Sequence, residues 1–220
     1  MKRNFYIVFL SFFLLIQPNM IFAEESDNAI LLQTSSFEHI KFKKVKPNHH
    51  LFINQQLQIN VNESASFLMQ AFDHTQLVRR VSFEWRSDNL PRITNAQHEK
   101  QRSGDDAVFK LGLLLKTEES LSNPFIPKWM QQVESLLKFP SEDMIYLVAN
   151  AKHKIGERWA NPYNKRVTMI SISSYVDQQG WNHASYQFES PVNVVALWLM
   201  SDGDNTNSSF TTRIKNIFIE

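Results

Sequence analysis

The sequence predicts an all-β fold, specifically an antiparallel two-sheet β-sandwich with one amphipathic helix in a long connection. Two observations lead to this prediction. Apolar and polar residues alternate along short runs such as Val81–Arg86 and Ala107–Leu115, as half-buried strands require. Helical periodicity stands out in a single segment, and many short strands without intervening helices favour a sandwich over a parallel α/β fold.

The N-terminal segment has the features of a secretory signal peptide. Lys2 and Arg3 precede a largely apolar run from Phe5 to Ile16, and Ala23 offers a cleavage site. The run is short for a bilayer span, although an uncleaved anchor is the alternative, and no later segment is long enough to cross a bilayer. We therefore expect a periplasmic or secreted protein of the Gram-negative type, cleaved near Ala23, with no transmembrane segment in the mature chain.

The remaining chain divides into a polar leader, residues 24–36, and one expected β-sandwich domain, residues 37–220. Residues 1–23 carry two basic and no acidic residues, so their removal changes the formal net charge from +1 to −1. A nearly neutral chain lacks the basic surface that nucleic-acid binding needs, and we expect no nucleic-acid partner. The sequence contains no cysteine, which excludes disulfides and makes a zinc site unexpected.

The five glycines exclude several nucleotide-binding and catalytic motifs. They are too widely spaced for a dinucleotide-binding fingerprint, a phosphate-binding P-loop or a G-x-S-x-G nucleophile elbow. The seven histidines form no H-E-x-x-H motif, and no spacing of serine and histidine marks a catalytic triad.

The predicted strands follow the period-two runs and their polar, Pro or Gly boundaries. Val192–Met200 is apolar on both faces except at Asn193, which is typical of a strand inside a sheet. The ten predicted strands are Phe37–Lys44, His50–Val61, Ser66–Ala71, Val81–Arg86, Ala107–Leu115, Met144–Ala149, Val167–Ser173, His183–Phe188, Val192–Met200 and Arg213–Ile219.

One helix is predicted between Pro127 and Lys138. Pro127 is suited to the first turn, five apolar side chains fall on one face, and Pro140 enforces the stop. The helix interrupts the long connection from Lys116 to Asp143. We expect it to cover an edge or a face of the sheet; a lid over a ligand is the alternative.

The segment after Val192–Met200 is a candidate calcium site. Asp202, Asp204, Asn205 and Thr206 provide hard oxygen ligands around Gly203, although the twelve-residue EF-hand pattern and its closing glutamate are absent. The same residue types are preferred in tight turns. We expect calcium as the cofactor, with a plain turn as the alternative.

A second acidic cluster, Asp105 and Asp106, immediately precedes the strand that begins at Ala107. The long polar loop from Ser87 to Gly104 leads to it, and loops of this length are often functional. If strands Val81–Arg86 and Ala107–Leu115 pair, Arg86 lies at the same rim. We expect Arg86 within salt-bridge distance of one of these aspartates, as a structural pair or beside a metal ion.

Two surface features are further candidates. Trp159 and Tyr163 flank Asn161 in a predicted loop, where exposed aromatic rings could stack on sugars; packing against the sandwich is the alternative. Four lysines form a basic strand edge near His49 and His50, either as protection of an edge strand or as a patch for anionic glycans. These lysines are Lys41, Lys43, Lys44 and Lys46.

Several ordered motifs resemble one family of exported bacterial proteins, domain of unknown function family 3047. The matching stretches are VSFEWRSDNLP, K-x3-GDDA, IGERWANPYNKRVTMISISS and LWLMSDGDNT followed by IKNIFIE, and the resemblance spans about residues 37 to 220. The recurring family features fall here on Trp85 and Arg86, Asp105 and Asp106, Asn161-Pro162-Tyr163, and Asp202, Asp204, Asn205 and Thr206. Phe83 stands where the family pattern has a tryptophan. The resemblance implies a jelly-roll-like sandwich and no particular activity.

Three functions are compatible with these observations. The first is a non-catalytic binding module for a glycan or cell-envelope component, with Trp85, Arg86, Trp159, Asn161 and Tyr163 among the ligand-binding candidates. The second is an enzyme acting on polysaccharide with Asp105, Asp106, Asp202 or Asp204 as acid and base, which two carboxyl groups about 5–9.5 Å apart in an open cleft would favour. The third is a structural envelope protein whose acidic rim holds calcium or an arginine.

Overall fold

The computed structural model describes residues 28–118 and 126–220 and contains one large, mostly antiparallel sheet. The expected signal peptide, residues 24–27 of the leader and residues 119–125 lie outside the described residues. Eleven strands join this sheet in the described parts of the chain, which confirms the all-β class. No helix among the described residues is long and apolar enough to span a membrane.

The strands follow one another along the sheet in an order that differs from their order in sequence. They are β1 (Glu38–Lys41), β2 (His49–Ile53), β3 (Gln56–Asn62), β4 (Ala65–Ser87), β5 (Ala107–Lys116), β6 (Ser141–Ala149), β7 (Arg158–Ala160), β8 (Val167–Ser171), β9 (Ser173–Val176), β10 (Asn182–Asp202) and β11 (Ser209–Ile219). The order in the sheet is β2-β3-β11-β4-β10-β5-β6-β8-β7, with β1 on β4 and β9 on β10. β6 and β8 pair in parallel, so the prediction of a wholly antiparallel sheet was wrong at this position.

Two unusually long strands run through the whole sheet. β4 has 23 residues and joins the two predicted strands Ser66–Ala71 and Val81–Arg86, whereas β10 has 21 residues and joins His183–Phe188 to Val192–Met200. Pro191 cannot donate to the ladder, and the pairing of β10 with β4 shifts register between Gln187 and Val192. Such irregularities bend strands, which lets a single sheet fold over itself.

Strands that do not pair with one another also make contacts, through a buried apolar core. Phe83 of β4 contacts Phe109 of β5 edge to face, with ring centroids 5.1 Å apart, although the two strands do not pair. The Thr212 hydroxyl in β11 donates to the Val108 carbonyl at 2.9 Å. Both contacts join strands that do not pair directly, since β10 lies between β4 and β5 and both β4 and β10 lie between β11 and β5.

Asn54 and Gln55 turn one predicted strand, His50–Val61, into a hairpin. Both residues have positive φ angles, 50° and 59°, as a two-residue type I′ turn requires. β2 and β3 pair on either side of this turn. The sequence signal was weak because Gln rather than Gly occupies the second position.

The central strands are apolar on both faces because each face covers a separate core. In β10, Leu197 and Leu199 face the first core, whereas Trp198 and Met200 face the second. α1 (Ala96–Glu99) is a single turn, and α2 (Lys128–Leu136) packs Val133 on the second core. α2 confirms the predicted helix and begins directly after Pro127, at its N-cap.

The described part of the leader lies along the final strand. Ala29 forms a bridge with Phe218, and the Ile30 amide donates to the Ile217 carbonyl at 2.9 Å. Leu32 is buried in the first core. Residues 28–32 therefore contribute both backbone pairing and apolar contact to the domain.

Candidate functional site

The two acidic clusters of the sequence meet at one end of the sheet. Asp105 and Asp106 precede β5, and Asp202 is the last residue of the neighbouring strand β10. The register places Asp202 opposite Ala107, whose amide donates to Asp202 Oδ1 at 2.7 Å. Strand pairing therefore brings Asp202 close to Asp106 and Asp105, which lie 96 and 97 residues earlier in the chain.

A buried lysine, Lys110, lies at the centre of these carboxylates. Its Nζ donates to Asp202 Oδ2 at 3.0 Å, to the Asp105 carbonyl at 2.8 Å and to Asp105 Oδ1 at 3.3 Å. Burial disfavours the ammonium, but the negative charges of Asp105 and Asp202 outweigh it and raise the pKa of Lys110 above its ordinary value. Lys110 is therefore charged and balances part of the negative charge.

Burial also disfavours the charged form of Asp202, and for a carboxyl group this raises the pKa. Loss of hydration, assisted by the nearby charges of Asp106 and Asp105, raises the pKa of Asp202 well above its ordinary value, against the opposing effect of Lys110. Lys110 and Asp202 therefore share a site in which the carboxylates outnumber the cation.

The loop between β10 and β11 is closed by Asp106. Asp106 Oδ2 accepts from the Thr206 amide at 2.7 Å and from the Thr206 hydroxyl at 2.6 Å, while Oδ1 accepts from the Asn205 amide at 3.2 Å and its Nδ2 at 3.1 Å. Asn205 and Thr206 thus act as donors to a buried carboxylate. The acidic turn that follows β10 is built around the other acidic cluster.

Gly203 allows this loop to close tightly. A Cβ atom at this position would lie 2.6 Å from the Ser208 carbonyl oxygen, well inside van der Waals contact. The same carbonyl accepts from the Glu63 amide, and the Ser208 amide donates to the Gly203 carbonyl at 2.8 Å. Gly203 is thus needed for close approach of two backbone segments.

The Asn161-Pro162-Tyr163 stretch joins the same site. Asn161 Nδ2 donates to Asp105 Oδ2 at 2.9 Å, and its Oδ1 accepts from the Tyr163 amide at 2.9 Å. The Tyr163 hydroxyl donates to Asn205 Oδ1 at 2.8 Å, and burial, together with Asp105 and Asp204, raises the pKa of Tyr163. Three of the four motifs that were singled out in the sequence therefore converge.

The fourth motif lies elsewhere. The structure does not pair β4 with β5, because β10 lies between them, so the predicted ion pair of Arg86 with Asp105 or Asp106 was wrong. The Arg86 guanidinium instead stacks 4.5 Å from the centre of the Trp181 ring. Trp85 is buried in the first core and does not line the cleft beside the acidic cluster.

Trp159 also packs inside the protein. Its ring stacks on His153 with centroids 4.0 Å apart and is only 7% exposed. The alternative that this side chain packs rather than stacks on a ligand is the one the structure supports. Of the two aromatic residues beside Asn161, Tyr163 is the exposed one.

A cleft of about 820 Å³ opens beside the acidic cluster, between α2 and the second core. Its aromatic lining includes Phe42, Trp129, Tyr146, Trp198 and Tyr163, and its acidic end includes Asp105, Asp202 and Asp204. Its volume lies within the range of small-molecule binding sites, roughly 300–1,000 Å³. The cleft combines apolar walls with a few polar groups at one end.

Gly112 makes room for the cleft floor. A Cβ atom at Gly112 would lie 2.9 Å from a Tyr146 ring carbon, 2.8 Å from the Met144 methyl carbon and 3.0 Å from Trp198 Cβ. Lys110, Gly112 and Leu114 face the same side of β5 because side chains alternate along a strand. The missing side chain lets Tyr146 and Trp198 approach the strand that also presents Lys110.

Three carboxylates of the cluster have the mutual geometry of a metal site. One oxygen each from Asp106, Asp202 and Asp204 lies within 4.8 Å of the others. Asp106 and Asp202 already accept hydrogen bonds on both oxygens, whereas the donors to the Asp204 carboxylate are its own backbone amide and Asn205 Nδ2, the latter at 3.4 Å. Burial and the neighbouring Asp106 raise the pKa of Asp204, as expected for a carboxylate without a cation.

Sequence reasoning missed Lys110 and the aromatic cleft wall. One signal was present, since Lys110 interrupts a strand whose other residues from Ala107 to Leu115 are all apolar or glycine. A charge in a strand buried on both faces needs a buried partner, and aspartates occur at the start of the same strand. Trp129, Tyr146 and Trp198 lie on separate elements, and nothing in the sequence indicates that they meet.

The fold and the site define a mostly-β protein with an acidic, aromatic cleft at one end of a large, mostly antiparallel sheet. The chain matches the profile of a family described as protein of unknown function (DUF3047) over residues 35–218, and it belongs to that family. The resemblance drawn from the sequence motifs is thereby confirmed. No curated protein matches the chain.

Proposed function

We propose that this protein is an exported, periplasmic or secreted, non-catalytic binding module that takes a glycan or another cell-envelope component into the cleft beside α2. The signal-peptide features of residues 1–23 support export. We also propose that the folded sheet is a two-layered, jelly-roll-like sandwich, a view supported by the contacts of β4 and β11 with β5 through the first core.

The observation that carries the proposed function is the composition of the cleft. Trp129 packs edge to face with Trp198 at 6.1 Å, and Tyr146 does so at 6.2 Å, so aromatic surface forms one wall. Asn161, Tyr163, Asn205 and Asp204 lie at the other end. Sugar rings combine an apolar face with hydroxyl groups, and such a ligand matches a site with aromatic walls and a few hydrogen-bonding side chains.

An enzyme acting on polysaccharide is the alternative, and the geometry supports it less. Glycoside hydrolysis needs two carboxyl groups about 5–9.5 Å apart, flanking the reacting bond. Asp106 and Asp202 are engaged in hydrogen bonds on both oxygens, and the oxygens of the three-carboxylate group lie within 4.8 Å of one another. Within this group Asp204 is the carboxylate least engaged by donors, so the group does not present a pair of free carboxyl groups on either side of a bond. A purely structural role in the envelope would not explain the aromatic and acidic lining of the cleft.

A calcium ion is a second candidate ligand for the acidic end. The close approach of Asp106, Asp202 and Asp204 favours it. Calcium takes six to eight oxygen ligands, and most oxygens of this group already accept hydrogen bonds from protein donors. We therefore propose weak calcium binding, centred on Asp204 and completed by water.

Isothermal titration calorimetry with envelope-type oligosaccharides tests the proposed function. We expect binding of a soluble tetrasaccharide of glucosamine or N-acetylglucosamine by the wild type and a loss of at least tenfold in Trp129→Ala, which removes cleft wall on the protein surface. Tyr175→Ala is the matched control, because Tyr175 is an exposed aromatic residue that does not line the cleft. Equal losses of affinity in both variants would contradict binding in the cleft. Hydrolysis of the oligosaccharide, detected by mass spectrometry, would contradict a non-catalytic function.

A further inference from the structure

The cleft lining is strongly acidic. Six carboxylate residues line it, namely Asp105, Glu134, Glu142, Asp143, Asp202 and Asp204, against two cations, Lys110 and Arg166. Lys110 pairs with Asp105 and Asp202, and Arg166 pairs with Glu142 and Asp143. Among the described residues, neither Asp204 nor Glu134 has a cation within salt-bridge distance. A ligand that enters this cleft meets an excess of negative charge.

Asp204 is the carboxylate best placed to receive a new donor. Both oxygens of Asp106 and of Asp202 accept protein N–H or O–H groups, so neither residue has an oxygen without a donor. Asp204 is partly exposed, and the donors to its carboxylate are its own backbone amide and Asn205 Nδ2, the latter 3.4 Å away. An ammonium group on a ligand could donate to it without displacing a contact of the folded protein.

The aromatic wall provides a second and independent indication of a ligand. Trp198 lines the cleft, is only 7% exposed, and its indole N–H has no acceptor among the described residues. A buried donor without an acceptor is costly, and a ligand oxygen would satisfy it. Aromatic faces also attract cations through their electron-rich centres.

We propose that the ligand of this cleft carries an aliphatic ammonium group on a sugar ring, with the ammonium at Asp204 and the ring against Trp129. This inference rests on the proposed function and narrows its ligand to an amine-bearing glycan. Neutral and anionic glycans lack the charge that the acidic lining calls for. The charge complementarity acts over a short range and weakens with added salt.

A matched pair of oligosaccharides tests this inference directly. Glucosamine tetrasaccharide and N-acetylglucosamine tetrasaccharide share the same backbone and differ in the charge of the amino group. At about pH 5.5, where an aliphatic amine is protonated, we expect the wild type to bind the free amine at least ten times more tightly in titration calorimetry. Asp204→Asn should remove this preference, whereas Glu189→Gln, which makes the same charge change at an exposed position away from the cleft, should retain it.

A third probe, phenethylammonium, separates the two proposals. Equal affinity for both tetrasaccharides would overturn the ammonium inference and leave a glycan-binding function intact. Asp204-dependent binding of phenethylammonium without binding of either tetrasaccharide would overturn the glycan function and retain the ammonium site. Failure of all three probes to bind would overturn both proposals. Binding of glucosamine tetrasaccharide only in the presence of calcium would overturn the placement of the ammonium group at Asp204.

Discussion

The ammonium nitrogen of Lys110 lies 3.0 Å from a carboxylate oxygen of Asp202, and both side chains are almost fully buried. The pair joins neighbouring strands, β5 and β10, at the acidic end of the cleft. Its attraction is strong because little water screens it, and the cost of removing one partner is correspondingly large. Lys110 therefore holds together carboxylates that would otherwise repel one another.

Lys110→Met should destabilise the protein severely. The substitution keeps an unbranched side chain that is one atom shorter but leaves Asp105 and Asp202 without their cation, and loss of one partner of a buried pair costs about 3–5 kcal/mol. Since about 2–4 °C corresponds to 1 kcal/mol in a domain of this size, we expect thermal unfolding roughly 10 °C lower by circular dichroism.

The double variant Lys110→Met/Asp202→Asn is the control. Removing the negative charge along with the positive one should recover a large part of the lost stability, as a double-mutant cycle would show. If the double variant is as unstable as the sum of the single variants, the two groups are not energetically coupled.

The Asp106 carboxylate should stabilise the loop between β10 and β11 more than any single donor to it. Asp106→Asn replaces an oxygen that accepts from the Thr206 amide and hydroxyl with an NH2 group, which places donors against donors. Hydrogen bonds to charged groups contribute about 1.5–3 kcal/mol each, so we expect a loss of at least ~2 kcal/mol in denaturant unfolding.

Thr206→Val provides the comparison for the same loop. It removes only the hydroxyl, keeps the amide donor and nearly preserves volume, so the expected loss is about 1 kcal/mol. A loss in Thr206→Val that equals or exceeds that in Asp106→Asn would mean that the carboxylate does not organise the loop.

The position of the acidic residues could be predicted from the sequence because they lie next to the ends of predicted strands. Asp105 and Asp106 immediately precede one strand, and Asp202 ends another, so both clusters had to lie at the ends of strands. Which strands are neighbours depends on the register and order of long-range pairs, and local alternation says nothing about either. The insertion of β10 between β4 and β5 therefore separated Arg86 from the acidic cluster, and Lys110 took the predicted role.

The number of strands was harder to predict than their type. Residues 72–80 of β4 contain His, Gln and Arg beside apolar residues, and the alternation is interrupted there. Residues 76–78 and Arg80 nevertheless pair with β10, and the pairing shifts register across residues 72–75. Tertiary pairing overrides local preference in this way. Pro191 similarly suggested a break in β10 that the structure accommodates as a register shift.

His50 should make the protein sensitive to acid. Burial lowers the pKa of His50 to about 3, with further contributions from His39 and His49, whereas the unfolded value is 6.5. A lowered histidine pKa means that the folded state excludes the proton, so the stability is fully present above pH 6.5 and declines as the pH falls towards 3.

His50→Phe tests this assignment while keeping an aromatic ring against His39, which the His50 ring contacts edge to face at 4.5 Å. A single such group changes the free energy of unfolding by up to about 1.4 kcal/mol per pH unit. We expect urea unfolding at pH 7 and pH 5 to show a smaller decrease in His50→Phe than in the wild type. Parallel decreases in the two proteins would assign the acid sensitivity to other groups.

Asp204 should respond to calcium, because it is the carboxylate of the acidic end with an oxygen still available. A site completed mostly by water binds weakly, with a Kd of about 1 mM, which is at the weak end of the range for extracellular calcium modules. At tenfold that concentration, binding to the folded state alone adds about 1.4 kcal/mol and raises the unfolding temperature by roughly 3–5 °C. The comparison is a melting curve with calcium against one with chelator at constant ionic strength.

Asp204→Asn should abolish the stabilisation by calcium and should raise the unfolding temperature in chelator. Because burial and Asp106 raise the pKa of Asp204, the ionised form is the less stable one in the folded protein, and its cost is present once the pH exceeds the folded-state pKa. The neutral amide avoids this cost, so the variant should melt at a higher temperature than the wild type in chelator at pH 7 and show no response to calcium. A wild-type melting curve that calcium does not change would contradict calcium binding at Asp204. A variant that melts at a lower temperature than the wild type in chelator would show that the Asp204 carboxylate stabilises the loop instead.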